Sequence, residues 1–157
     1  MPFVHGSSCQ LTRLFLEDIY IWLPSPMSQM EEIIDILEQL PTLEDFGLLC
    51  SDRGVPDVWG ALTVPSNRAA LCPALSSVIY GWRGPHNLDY YGVEIIDSFF
   101  AMLQSRIGLN SVRVLALRTA PEFEEAVNRK LALLPATLDA AILGTEAATD
   151  FLMHLRP

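Results

Sequence analysis

Residue types that could perform chemistry occur in this sequence, but they lack the spacing that known sites require. The tripeptide Asp-Phe-Gly at residues 45–47 matches the metal-binding tripeptide of protein kinases, yet no glycine-rich loop, His-Arg-Asp segment or Val-Ala-x-Lys strand accompanies it. His5, His86 and His154 form neither a His-x-x-x-His nor a Glu-x-x-His motif. We therefore expect no metal site and no cofactor.

The sequence also lacks the context that turns a serine or cysteine into a nucleophile. It contains no Gly-x-Ser-x-Gly elbow and no P-loop, and Ser8-Cys9 has no neighbouring base. Glu94 and Asp97 stand three residues apart, which fits the solvated face of a helix better than a catalytic carboxylate pair. We expect that the protein is not an enzyme, with a small hydrolase as a distant alternative.

Composition narrows the classes of partner and the compartment. Half of the residues are apolar and 18% are charged, which favours a folded chain over a disordered one. The net charge of −9 repels phosphate and argues against nucleic-acid binding. No apolar run is long enough for a membrane span, the N-terminus does not resemble a secretory signal, and the three cysteines form no Cys-x-x-Cys pair. These features predict an intracellular protein, cytoplasmic or nuclear, with no membrane partner.

Five segments share the spacing apolar-x-x-apolar-x-apolar and begin about 30 residues apart, which is typical of repeat architectures. They are Leu11–Leu16, Leu43–Leu48, Leu75–Tyr80, Leu109–Val114 and, more weakly, Leu138–Leu143. The last two apolar positions of each segment are two residues apart, so each segment predicts a short strand with both side chains on one face. In the fourth segment Val112, Leu115 and Leu117 also satisfy the spacing, so its register stays open.

Between these segments the apolar period changes to about 3.6, the period of an amphipathic helix. The three predicted stripes are Met30, Ile33, Ile34, Leu37 and Leu40; Val93, Ile96, Phe99, Phe100 and Leu103; and Phe123, Val127, Leu131 and Leu134. Glycine and proline interrupt residues 52–71, which predicts a loop with at most one short helical turn.

Strands that alternate with helices at constant spacing imply parallel strands joined by crossovers. The predicted fold is α/β, a leucine-rich-repeat-like solenoid with a parallel sheet on one face and helices on the other. Residues 1–157 would form a single array of four to five irregular repeats. No amphipathic cap is visible at either end, so we expect a fragment of a longer solenoid that self-associates through its uncapped ends.

Three stretches carry a resemblance to a known family: LEQLPTLEDFGL, LCPALSSVIY and FFAMLQSRIGLNSVRVLAL. They resemble the repeat region of F-box and leucine-rich-repeat proteins of mushroom-forming fungi, over roughly residues 9–144. In that family a helix ends in a Leu-Pro or Cys-Pro step, or in Ser-Arg as at Ser105-Arg106. The resemblance implies the substrate-recognition region of a ubiquitin-ligase receptor. The F-box and its Leu-Pro-x-Glu opening are absent from this sequence, and Ile19, Ser51 and Arg83 replace the asparagine or cysteine ladder of classical repeats.

The outward positions of the first three strands are predicted to line up as one concave strip that binds a protein partner. These positions are Arg13, Phe15, Glu17, Asp45, Gly47, Ser77 and Ile79. The alternative is that Phe15 and Ile79 only pack on the side chains beside them.

Two aromatic segments that follow the strands contain Trp22 and Trp82, which are further candidates for partner contacts. The alternative is that they anchor their own loops. The sequence thus favours a protein–protein interaction module, and the alternative is a purely structural fragment of a longer solenoid.

Overall fold

The computed structural model describes residues 10–17, 26–50, 58–64, 69–83, 90–106, 108–117 and 121–155. Strands and helices alternate strictly along these ranges. In chain order they are β1 (Arg13–Glu17), α1 (Pro26–Glu38), β2 (Asp45–Cys50), α2 (Val58–Leu62), β3 (Ser77–Arg83), α3 (Tyr90–Ser105), β4 (Ser111–Leu117), α4 (Pro121–Leu131), β5 (Asp139–Leu143) and α5 (Thr145–Leu155). No helix within these ranges has both the length and the apolar character needed to cross a bilayer.

The five strands form one parallel sheet in the order β1-β2-β3-β4-β5. This confirms the α/β class and the parallel pairing of successive repeats. One row of the sheet aligns Leu14, Phe46, Val78, Val112 and Ala140. The first four of these residues are the middle apolar positions of the predicted segments. The segments share one apolar pattern because equivalent positions lie side by side in the sheet.

The sequence predicts the register of β4 correctly and that of β5 incorrectly. In β4, Val112 and Val114 face the same core as the helices α1–α4, so the first of the two alternatives is correct. In β5 the prediction is wrong by one residue: Ala140 and Ile142 pack against that core, rather than Ala141 and Leu143. The segment is apolar at both parities, so the alternation alone could not choose between the two faces.

The main core lies between the sheet and α1–α4. Trp59, on the five-residue helix α2, is fully buried at its centre. Its indole ring contacts Phe46, Tyr80 and Phe99 edge-on, with centroid distances of 5.8, 5.2 and 4.9 Å. Such edge-to-face pairs stabilise a core beyond the area that they bury. The short helix α2 agrees with the prediction for the described part of residues 52–71, which is 58–64 and 69–71. The central position of Trp59 was not predicted.

A second apolar cluster occupies the opposite face of the sheet. Its buried residues are Leu49, Ile79, Leu115 and Leu117 from the strands, and Ala148 and Leu152 from α5. Gly144 alone separates β5 from α5, and Thr145 Oγ1 donates a hydrogen bond to Ala116 O at 3.3 Å. The prediction that the helices cover only one face is therefore wrong for α5. The physical reason is the outward apolar surface of β4, which α5 buries.

The Ser105-Arg106 step at the end of α3 donates or accepts hydrogen bonds with the backbone of residues 62–64 and 71–72. Ser105 Oγ accepts a hydrogen bond from Val64 N at 3.0 Å. The buried Arg106 guanidinium donates to Leu62 O, Cys72 O and Leu71 O at 2.9, 3.0 and 2.5 Å. Burial lowers the pKa of Arg106. The three carbonyl acceptors replace hydrogen bonds that the guanidinium would otherwise make to water.

Candidate interaction surface of the sheet

The outward side chains of successive strands line up in rows, as the repeat spacing predicts. The row nearest the start of the strands, called here the polar row, contains Arg13, Asp45, Ser77, Ser111 and Asp139. The next row, called the middle row, contains Phe15, Gly47, Ile79, Arg113 and Ala141. The parallel register aligns the residues within each row. Both rows lie on the same face of the sheet, because residues two apart on a strand share a face.

An ion pair lies at each end of the polar row. At one end the outer strand β1 carries the arginine, and at the other end the outer strand β5 carries the aspartate. Arg13 Nε lies 2.7 Å from Asp45 Oδ2, and the Arg13 side chain is 83% exposed. Arg113 Nη2 lies 2.5 Å from Asp139 Oδ2, and Arg113 Nη1 also donates to Asp139 O at 2.7 Å. Pairs this exposed add little to folding stability. They do present charged groups in a fixed geometry, which is how polar residues at interfaces select partners.

The ring of Phe15 lies directly on the backbone of Gly47. A Cβ atom at residue 47 would stand 2.1 Å from Phe15 Cδ2, so only glycine leaves room for the ring in this position. Phe15 packs at the border of the α5 cluster and remains half-buried. One side of the Phe15 ring thus packs on the backbone of its own sheet, while part of the ring stays accessible.

Ile79 is placed differently from the rest of the predicted strip. It is 9% exposed and belongs to the apolar cluster that α5 covers. The expectation that no layer covers the outward strand positions is therefore wrong over β3 and β4. What stays accessible on β1, β2 and the start of β3 is a smaller surface formed by Arg13, Phe15, Asp45 and Ser77, which we call the β1–β3 strip. Glu17 lies at the far end of β1 and is half-buried.

The two tryptophan candidates cannot be joined to this surface. Trp22 lies outside the described residues, and for Trp82 only the backbone, within β3, is described. Sequence reasoning also missed Ser111, Arg113 and Asp139, which extend the same rows across β4 and β5. A signal for Ser111 was present, because it precedes Val112 as Ser77 precedes Val78 in the repeated spacing.

The side chains of these rows can form ion pairs, hydrogen bonds and apolar contacts. Within the described ranges, no three His, Cys, Asp or Glu side chains lie close enough together to hold a metal ion. The only described cysteine side chain, Cys72, is buried, and burial raises the pKa of its thiol above the usual value. A raised pKa keeps the thiol protonated at neutral pH and therefore poorly nucleophilic.

No family model, curated protein or solved structure matches this chain.

Proposed function

We propose that this chain is a protein-binding module whose contact surface is the β1–β3 strip. The observation that carries the proposal is the exposed Arg13–Asp45 ion pair beside the half-buried Phe15 ring, on the part of the sheet that α5 leaves accessible. An aromatic ring with partial exposure can supply the apolar centre of an interface, and the flanking charges can fix its orientation.

The rigidity of the strip supports this proposal. Arg13, Phe15 and Asp45 all lie on paired strands, and the Phe15 ring is fixed against Gly47. A preorganised surface loses little conformational entropy when it binds. The net charge of −9 also favours approach by a partner with a basic surface.

A narrower form of the proposal follows from the family resemblance. In that form the sheet is part of a leucine-rich-repeat solenoid, and the partner is a substrate of a ubiquitin ligase whose F-box is supplied elsewhere. The common step of about 30 residues and the Ser105-Arg106 step support this form. Co-purification with an adaptor protein of such ligases is the observation that distinguishes it from a general binding module.

The proposal is tested by exchanging the charges of the strip without removing its ion pair. In the double variant Arg13→Glu/Asp45→Arg the two charges change places, and the net charge stays the same. A matched control exchanges a surface pair on the helix side, Lys130→Glu/Asp97→Arg, whose Nζ–Oδ1 distance is 2.6 Å. Wild type and both variants are used to capture proteins from the same lysate, and their thermal midpoints are compared.

We expect a specific partner to be lost by the strip variant and retained by the control, with thermal midpoints unchanged in both. Retention of the same partner by the strip variant would move the contact surface elsewhere. Failure of the wild-type chain to retain any protein above background would overturn the proposal of a binding module.

A further inference from the structure

Each strand junction in this sheet repeats one hydrogen bond. The amide that opens a strand donates to a carbonyl just ahead of the preceding strand, in the pairs Asp45 N to Thr12 O, Ser77 N to Glu44 O, Ser111 N to Ser76 O and Asp139 N to Asn110 O. Along a strand, the N–H and C=O groups of successive residues point in turn toward one neighbouring strand and toward the other. These bonds therefore determine which N–H and C=O groups of the two outer strands point away from the sheet.

On β1 the groups that point outward are those of Arg13 and Phe15, since Thr12 O already points toward β2. On β5 they are those of Leu138, Ala140 and Ile142, since Asp139 N points toward β4. The next junction of the series would therefore join Arg13 N of one chain to Leu138 O of another. The outward backbone groups of β5 and β1 are thus spaced so that the two strands can pair in parallel, in the same register as the other junctions.

The same register brings complementary side chains together. It places Asp139 of one copy beside Arg13 of the next, which repeats the pairing of Arg13 with Asp45 inside the chain. Asp139 is 69% exposed and Arg13 is 83% exposed, so both can reach across such a junction. Ala141 would stand beside Phe15 on the side away from Gly47, over which the ring lies, and its side chain is small.

The core is also incompletely covered at both outer strands. Leu14 and Leu16 on β1, and Ala140 and Ile142 on β5, are half-buried, whereas Val78 in the same row is fully buried. Leu11 beside β1 and Leu133 near β5 are exposed. A further strand at either edge would remove apolar surface from water, which is the main favourable term in association.

We propose that this protein associates head to tail with further copies of itself, through parallel pairing of β5 in one copy with β1 in the next. The junction continues the existing register, with Asp139 facing Arg13. Because the two contacting surfaces differ, each copy can contact two others, and the assembly grows into a ring or a filament.

Two proline variants test the direction of this pairing. Arg13→Pro removes the outward amide of β1, and Ala140→Pro removes the outward amide of β5. Neither amide takes part in the pairing with β2 or β4, and proline is tolerated on edge strands. Sedimentation velocity over a concentration series measures the mass of wild type, of each variant and of their equimolar mixture, and thermal midpoints establish that both variants fold.

We expect the average mass of the wild-type protein to rise with concentration, and each variant alone to sediment as a monomer. The mixture should form a heterodimer and nothing larger, because one intact β5 edge then meets one intact β1 edge. If proline lowers the thermal midpoint, Arg13→Asp and Asp139→Arg serve instead: each alone should be monomeric, and the chain carrying both should associate again.

Other outcomes overturn the proposal. An Ala140→Pro variant that still dimerises would indicate pairing of two β1 strands, and an Arg13→Pro variant that still dimerises would indicate pairing of two β5 strands. A wild-type protein that stays monomeric over the whole series would exclude self-association. These results are independent of the partner-capture experiment, because they require no second protein.

Discussion

Arg106 shows how one side chain can connect parts of the backbone that are distant in the sequence. Its guanidinium donates to three backbone carbonyls of residues 62–72, and it is the buried charged residue of the main core. Cys72, one of these acceptors, has a φ of 47°, a conformation that non-glycine residues adopt only under constraint. The Ser-Arg step noticed in the sequence thus has a structural role that is independent of any partner.

Replacing Arg106 should therefore be costly. We expect Arg106→Ala to lower the free energy of unfolding by about 2–4 kcal/mol, because buried carbonyls lose charged hydrogen-bond donors. Lys130→Ala is a matched control, since Lys130 forms an exposed ion pair with Asp97, and it should cost at most about 1 kcal/mol. Urea unfolding of the two variants measures both values. Equal losses in the two would show that the contacts of Arg106 contribute no more than a surface ion pair.

For single residues of the surface, the sequence predicts their alignment but not their burial. Arg13, Asp45 and Ser77 were placed together correctly, because strand alternation and a common register are sufficient to align them. Ile79 also lies in its predicted row, but its burial was not predicted, because it depends on a helix that is distant in the sequence. Alternation specifies the face on which a side chain lies and gives no information on what covers that face.

At the scale of elements, most of the fold follows from periodicity. The four clear strand segments agree with the structure. Of the two stripes predicted for α1 and α3, Ile33, Leu37, Ile96, Phe99 and Leu103 are buried in the main core. Ile34 is half-buried, and the side chains of Met30 and Val93 lie outside the described residues. Periods of 2 and 3.6 distinguish strands from helices whenever one face is apolar. The helix α2 was hard to predict in detail because five residues are too few to show a period.

The position of α5 could not be derived from its own sequence. An amphipathic helix has the same apolar stripe whichever face of the sheet it covers. A signal did exist in β4, where Leu115 and Leu117 are apolar at outward positions while Val112 and Val114 are apolar at inward ones. A strand that is apolar on both faces is typical of a sheet covered on both sides.

The packing of α5 gives a direct prediction. Leu152 is buried in the second cluster, whereas its neighbour Met153 is 63% exposed. We expect Leu152→Ala to lower the free energy of unfolding by about 2–5 kcal/mol, since it leaves a cavity between α5 and the sheet. Met153→Ala should change it by about 0.5 kcal/mol or less. Similar urea midpoints for these two variants would contradict the placement of α5 on the sheet.

Over the whole molecule, the sheet separates two apolar clusters of unequal size. Strands β2, β3 and β4 contribute residues to both clusters, so each has buried side chains on both faces. The outer strands β1 and β5 contribute mainly half-buried residues. Protection from solvent therefore decreases from the centre of the sheet toward its two edges.

This gradient should be visible in native-state hydrogen exchange. We expect the amides of β3 and β4 to exchange only in large opening events, and those of β1 and β5 to exchange in smaller local ones. Exchange followed by mass spectrometry on peptides from each strand measures the difference. Faster exchange in β3 than in β1 would show that the sheet does not unfold from its edges.

Trp59 also gives the protein an optical property. Its indole is fully buried beside Tyr80 and Phe99, and its Nε1 has no hydrogen-bond partner among the described residues. An indole excluded from water emits at shorter wavelength than a solvated one, and the nearby Tyr80 ring can transfer excitation to it. In a chain with Trp22 and Trp82 replaced by phenylalanine, the fluorescence would report on the environment of α2 alone. The five-residue helix α2 would then carry an intrinsic probe of the core.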